Sequence, residues 1–175
     1  MSLYAPIERW NMPANVLSDS IAAMADDGKR GNEGIVLWLG QITGHEATIT
    51  HLVTLPEYWT RKYPDYLEVS AEALNVLADV AETLDVSLVG QIHSHPGTYI
   101  DLSIPDRRFG ISAPYYLSVV APHYAQRPDT SWVDCGLHQF RSGMGFCRLS
   151  SAETNRRLNV TGTLHAKPIA LGVAR

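Results

Sequence analysis

Residues Gly34-Ile35-Val36-Leu37-Trp38-Leu39 form an unbroken apolar run bounded by Gly31 and Gly40. The run is too short for a stand-alone helix and offers no polar face to water, so it predicts a strand covered on both sides. A strand of that kind needs packed layers above and below it. The chain has 175 residues, 45% of them hydrophobic and 18% charged, which suits one core large enough to supply those layers. Glu33 stands at the mouth of the run.

The flanking segments supply the other elements. Pro13 to Gly28 places Leu17, Ile21, Met24 and Ala25 at helical spacing, with proline and glycine at the expected ends. After a turn at Thr43-Gly44, Ala47 to Leu55 reads as a strand paired with the apolar run as a hairpin, and Pro56 ends it. The stretch from Glu57 to Tyr66 mixes aromatics and charges without a period and reads as a long surface loop. Ser70 caps a helix whose apolar stripe is Ala71, Leu74, Ala78 and Ala81, opposite Glu72, Asn75, Asp79 and Glu82. Val86 to Ile92 reads as a strand, Ser103 opens a short helix, and Tyr115 to Ala121, Ser131 to Phe140 and Gly145 to Leu149 read as further strands. The expected fold is α/β, a mixed β-sheet flanked by helices. The hairpin requires antiparallel pairing, and the helix after the second strand allows a crossover.

Fourteen basic residues against 18 acidic ones give a net charge of −4, so no strong positive field holds a phosphate backbone and nucleic acid is not the expected partner. No apolar run approaches a bilayer span, and the opening MSLYAPIERWNMP has charge and proline where a leader needs an apolar stretch. No membrane association is expected. Cys135 and Cys147 are too few and too far apart for a disulfide scaffold or a CxxC pair, which suits a reducing, cytoplasmic setting. Alternation buries Cys135 in a strand as a small apolar residue, not as a nucleophile beside His138. His45, His51, His123, His138 and His165 lack an acidic or histidine partner at ligand spacing and read as ordinary histidines.

His93 and His95, two apart at a strand end and followed by Pro96, place both imidazoles on one side. Two imidazoles on one face form half of a tetrahedral zinc site; the competing reading is a polar strand end with solvated rings. Ser103-x-Pro105-Asp106 is a helix start with a capping serine and a first-turn acid. Asp101 and Asp106 are the acids within short reach of the histidines, and a helix start holds the Asp106 carboxylate in a fixed place.

HxHP, six further residues, then serine, two residues and aspartate resembles the signature of the JAMM metalloproteases, also called JAB or MPN+, and this chain meets every specified position. The family also expects an upstream glutamate before a short apolar segment ending in glycine, which Glu33 to Gly40 resembles, with Val36 where a second glycine is frequent. Gln91-Ile92 replaces the aromatic of many eukaryotic members and favours a bacterial branch. The likeness spans about residues 13–149 and implies a single JAMM/MPN domain of cytidine deaminase-like architecture, with 150–175 as a C-terminal extension.

The resemblance implies a Zn2+ ion on His93, His95 and Asp106, with Glu33 as the base for the attacking water and Ser103 as hydrogen-bond donor to the oxyanion. The implied reaction is hydrolysis of an isopeptide or peptide bond after the C-terminal glycine of a ubiquitin-like protein. The implied partners are that protein or its conjugate and E1/E2-like proteins of the same operon, antiphage operons included. Processing of a sulfur-carrier protein and a catalytically silent MPN scaffold are the alternatives. A zinc hydrolase of small amides ranks below them, since the CxxC ligands of the zinc deaminases are absent.

Overall fold

The computed structural model describes residues 6–172, so the first five residues of the opening MSLYAPIERWNMP lie outside the described residues. The apolar run becomes strand β2 (Ile35–Thr43), following β1 (Arg9–Pro13) and helix α1 (Asn15–Lys29). Pro13 ends a strand instead of opening the helix, because Trp10 to Pro13 pair in a sheet. β2 turns at Gly44 into β3 (Glu46–Thr54), antiparallel to it. Alternation sorts β2 as the sequence predicts: Val36 and Trp38 pack with α1 residues Leu17, Ile21 and Met24, while Ile35, Leu37 and Leu39 face the second helix, α2 (Ala71–Thr83).

The expected loop from Glu57 to Tyr66 contains a 3-10 turn (Glu57–Trp59) and β4 (Thr60–Lys62), which pairs antiparallel with β5 (Leu67–Val69). Buried Trp59 pins this small hairpin to the α2 side of the core, and the Lys62 ammonium meets Asp27 of α1 at 2.7 Å. Ser70 caps α2 as expected, accepting from Ala73 N–H. The buried face of α2 is Ala73, Leu77 and Ala81, rotated from the expected stripe, and Ala78 is exposed. The rotation follows the bulk: Val76, Leu77 and Val80, absent from the expected stripe, carry more apolar surface than the alanines it contained.

Helix α2 leads into β6 (Ser87–Ser94), which lies antiparallel to β2 on the side away from β3. The crossover therefore passes over one strand. β7 (Leu117–Ala121) runs parallel to β6, then β8 (Gly136–Arg141) and β9 (Gly145–Arg148) follow antiparallel. Between β6 and β7 stands the short α3 (Ile104–Phe109). The residues from Ser131 to Cys135 form a 3-10 turn and its end, so Cys135 is buried just before β8 and not inside it.

The tail beyond residue 150 is part of the sheet. After α4 (Ser151–Arg157), β10 (Leu158–Thr161) pairs parallel with β1, and β11 (Lys167–Ala170) pairs parallel with β3. β1 takes the first half of the outer edge of β3 and β11 the second. The result is a mixed α/β sheet in the order β10-β1-β3-β2-β6-β7-β8-β9, flanked by helices. No helix among the described residues is long and apolar enough to cross a membrane.

Candidate metal centre

The centre forms where β2 begins and β6 ends, side by side in antiparallel register. His93 lies opposite Ile35, two residues along the chain from Glu33. The junction is stapled twice: Ser94 N–H donates to the Gly34 carbonyl at 3.0 Å, and Gly34 N–H donates to Ser94 Oγ at 2.9 Å. His95 continues the line, its N–H bonded to Ala121 of β7 at 2.9 Å. Glu33 is held by its own N–H on the Tyr63 carbonyl, which ties the β4–β5 hairpin to the rim of the centre.

Asp106 arrives from α3. Ser103 and Asp106 form a reciprocal capping box: Asp106 N–H donates to Ser103 Oγ, while Ser103 N–H and its hydroxyl donate to Asp106 Oδ2 at 2.8 and 2.7 Å. The box aims the carboxylate at the histidines. His95 Nε2 lies 3.1 Å from Asp106 Oδ2 and 3.1 Å from His93 Nε2, and His93 Nε2 lies 3.6 Å from Asp106 Oδ1. These three residues form a cluster able to hold a metal ion, with one ligand atom from each within 4.8 Å of the others. Glu33 Oε1 stands 3.8 Å from His95 Nε2. Thus Glu33, from just before β2, is gathered with His93, His95, Ser103 and Asp106 of the β6–α3 stretch, with the Ser103 proton turned to Asp106.

The donor set suits zinc: two imidazoles and one carboxylate leave a coordination position for water. The His95 ring is set for that role, because its Nδ1 faces the Tyr99 carbonyl at 3.2 Å and must donate there, which turns the Nε2 lone pair to the centre. Glu33 is 2% exposed and its Oε2 has no hydrogen-bond partner. An orphaned, buried carboxylate oxygen beside a second carboxylate is the environment a cation would relieve.

The two acids are driven apart. Burial first, then repulsion from Asp106 and Asp65, pushes Glu33 up to about 8. Burial also works to raise Asp106, but the two imidazoles and the Ser103 hydroxyl outweigh it and hold Asp106 well below the usual carboxylate range. Separated acidities of this kind distinguish a proton-transfer group from a permanently charged one. Burial pushes the Cys135 thiol up to about 12, which leaves it inert as a nucleophile.

Two contacts escaped the sequence reading. His138, fully buried on β8, meets Asp101 Oδ1 at 2.6 Å, and Arg107 reaches the same oxygen at 3.0 Å. His138 thus has an acidic partner, contrary to expectation. Burial, the largest effect, pushes the His138 imidazole down to about 4 against the pull of Asp101, so it is neutral at pH 7 and Nε2–H donates to the carboxylate. Gly136 completes this anchor, since a side chain there would collide with the Ile100 carbonyl. Together they fix the loop that carries Ser103 and Asp106. No local signal links residues 37 positions apart. Gln91 and Tyr116 form the other unforeseen contact, and the spacing of two between Gln91 and His93 was the available clue.

Beside the cluster opens a cavity of about 320 Å³. Ile35, Leu67, Val69, Phe109 and Ile111 supply apolar walls, and Gln91, His93, Asp106 and Ser118 supply polar ones.

The chain is similar to the probable metalloprotease y4jG of Sinorhizobium fredii (strain NBRC 101917 / NGR234), with 27% identity over 162 residues, 92% of this chain and 99% of that protein. Among solved structures it resembles the solution structure of protein DSY2949 from Desulfitobacterium hafniense, with a TM-score of 0.62 and 14% identity over 89% of this chain and 95% of that one, a likeness of fold. No family model matches the chain.

Proposed function

We propose that this protein is a zinc-dependent metalloprotease of the JAMM type that hydrolyses the amide bond after the C-terminal glycine of a ubiquitin-like protein. The observation that carries the reading is the convergence of His93, His95 and Asp106 with the Glu33 carboxyl at their edge, whose Oε2 has no hydrogen-bond partner among the described residues. Similarity to a probable metalloprotease over nearly the whole chain supports the protease class.

His93, His95 and Asp106 would hold the ion, whose contribution when bound is Lewis acidity that activates water near neutral pH. Glu33 takes the proton of the attacking water and returns it to the leaving amine, a role supported by the position of its carboxyl at the edge of the cluster, 3.8 Å from His95 Nε2. Ser103 orients Asp106 through the capping box, and rotation of its hydroxyl away from Asp106 supplies a hydrogen bond to the developing oxyanion. Asp101 and His138 hold the loop steady beneath both groups.

The cavity wall supports this substrate class. Among the described residues β5 has β4 as its one strand neighbour, and its residues Leu67 and Val69 line the cavity. An extended glycine-ended tail adds to such an edge by backbone hydrogen bonds and reaches the centre end-on. Conjugates made by E1/E2-like enzymes of a bacterial operon, antiphage systems included, fit this description.

The test is cleavage of a ubiquitin-like fusion encoded near this gene. The wild-type chain should carry about one zinc and cut after the terminal glycine, and Glu33→Ala should keep the metal but lose at least 100-fold in turnover. Full turnover after zinc removal would refute the metal, and full turnover by Glu33→Ala would assign the base elsewhere.

A further inference from the structure

Beneath the candidate ligands lies a polar cluster that the chemistry above does not use. Gln91 precedes His93 by two residues on β6, so both side chains leave the sheet on one side. The Gln91 Nε2 stands 3.3 Å from His93 Nδ1 and 3.4 Å from Ser118 Oγ of β7, and the Tyr116 hydroxyl donates to Gln91 Oε1 at 2.9 Å. All three polar residues are buried. Each needs a partner in such a place, a demand that an apolar trio of the same volume would not make.

We propose that Gln91, held by Tyr116 and Ser118, is a positioning residue that decides which nitrogen of His93 carries the proton and thereby sets how tightly the centre grips zinc. The proposal rests on the zinc reading given above. A neutral imidazole that binds a cation through Nε2 keeps its proton on Nδ1 and needs an acceptor there. For His95 that acceptor is a backbone carbonyl, which has one setting. For His93 it is an amide, which has two. With Nε2 toward the ring, Gln91 donates to Nδ1 and the imidazole proton moves to Nε2, leaving no lone pair for a metal. A half-turn of the amide brings Oε1 to Nδ1 and Nε2 to the Tyr116 oxygen, so the proton returns to Nδ1 and Gln91 keeps both neighbours. Gln91 is thus the adjustable half of the histidine pair, and Tyr116 is its pivot.

Zinc affinity measured by competition with a chromogenic chelator on the full-length protein separates the outcomes. Gln91→Met keeps the volume without an acceptor and should bind zinc about 10- to 100-fold more weakly. Gln91→Glu, whose carboxylate accepts from His93 and from the Tyr116 hydroxyl, should restore wild-type affinity or exceed it, a rescue that a merely space-filling role would not give. If Gln91→Met does not fold, Tyr116→Phe carries the test and should shift zinc affinity by at least about threefold, because the amide loses the hydroxyl that fixes its setting. Affinity within twofold of wild type for Gln91→Met, or for Tyr116→Phe where it carries the test, overturns the proposal, as does Gln91→Glu binding as weakly as Gln91→Met. A wild-type protein that takes up no zinc overturns this proposal and the metalloprotease reading together, whereas a zinc-binding wild type with unaffected variants overturns the role of Gln91 alone.

Discussion

Glu33 and Asp106 share one buried pocket, yet their surroundings push them in opposite directions. This has a consequence for stability that can be read without any substrate. Unfolded, Glu33 ionises near its ordinary value of 4.5; folded, it holds its proton up to about 8. Between those values the native state binds more protons than the unfolded one, so this group lowers stability as pH rises from 4.5 to 8. Glu33→Gln removes the dependence. In chelator-treated protein the two chains should have similar stability near pH 5, and Glu33→Gln should lead by a few kcal/mol at pH 8. Urea unfolding at both pH values checks this, and a gap that stays constant would mean that Glu33 is ionised throughout.

Among the elements, α2 shows how periodicity can be read correctly in kind and wrongly in phase. The Ser70 cap and the helix length are local properties and were legible. The buried face was not, because counting alanines at helical spacing treats a methyl group as equal to a valine or leucine side chain, while the sheet is met by whichever face buries the greater area. Leu77 is 1% exposed at the centre of that face and Ala78 lies outside it. Leu77→Ala should therefore cost about 2–5 kcal/mol, and Ala78→Ser less than about 0.5 kcal/mol. The denaturation midpoints of the two variants decide which face is inside. The β4–β5 hairpin was missed for a related reason: strands of three residues are too short to establish an alternation, and they persist here because Trp59 and the Lys62–Asp27 pair anchor them to α2 and α1.

For the whole molecule, the chain end matters more than the ambiguous tail of the sequence suggests. β10 and β11 cover the outer edges of β1 and β3, and Ala166 and Leu171 are buried with them. Ending the chain after Arg157 would expose two strand edges and that apolar surface. The loss should be on the order of 5 kcal/mol, which for a chain of this size lowers the melting temperature by about 10–20 °C. A truncated protein that melts with the full-length chain would show that the core ends before residue 158.

The amino-acid sequence by itself determined the doubly covered β2, the β2–β3 hairpin, the capped starts of α2 and α3, and the pairing of His93 and His95 on one face with Asp106 at a helix start; Glu33 was reached only through a family resemblance. The first of these rest on spacing along a few neighbouring residues, where backbone geometry dictates which side chains share a face. The tertiary structure alone decided that β6 docks against β2 and not β3, that the tail adds strands along the outer edges of β1 and β3, and that Gln91, Tyr116, Asp101 and His138 stand behind the candidate metal centre. These contacts join residues far apart in sequence, and they are selected by the burial of surface and the pairing of buried polar groups over the whole fold, which no local pattern encodes.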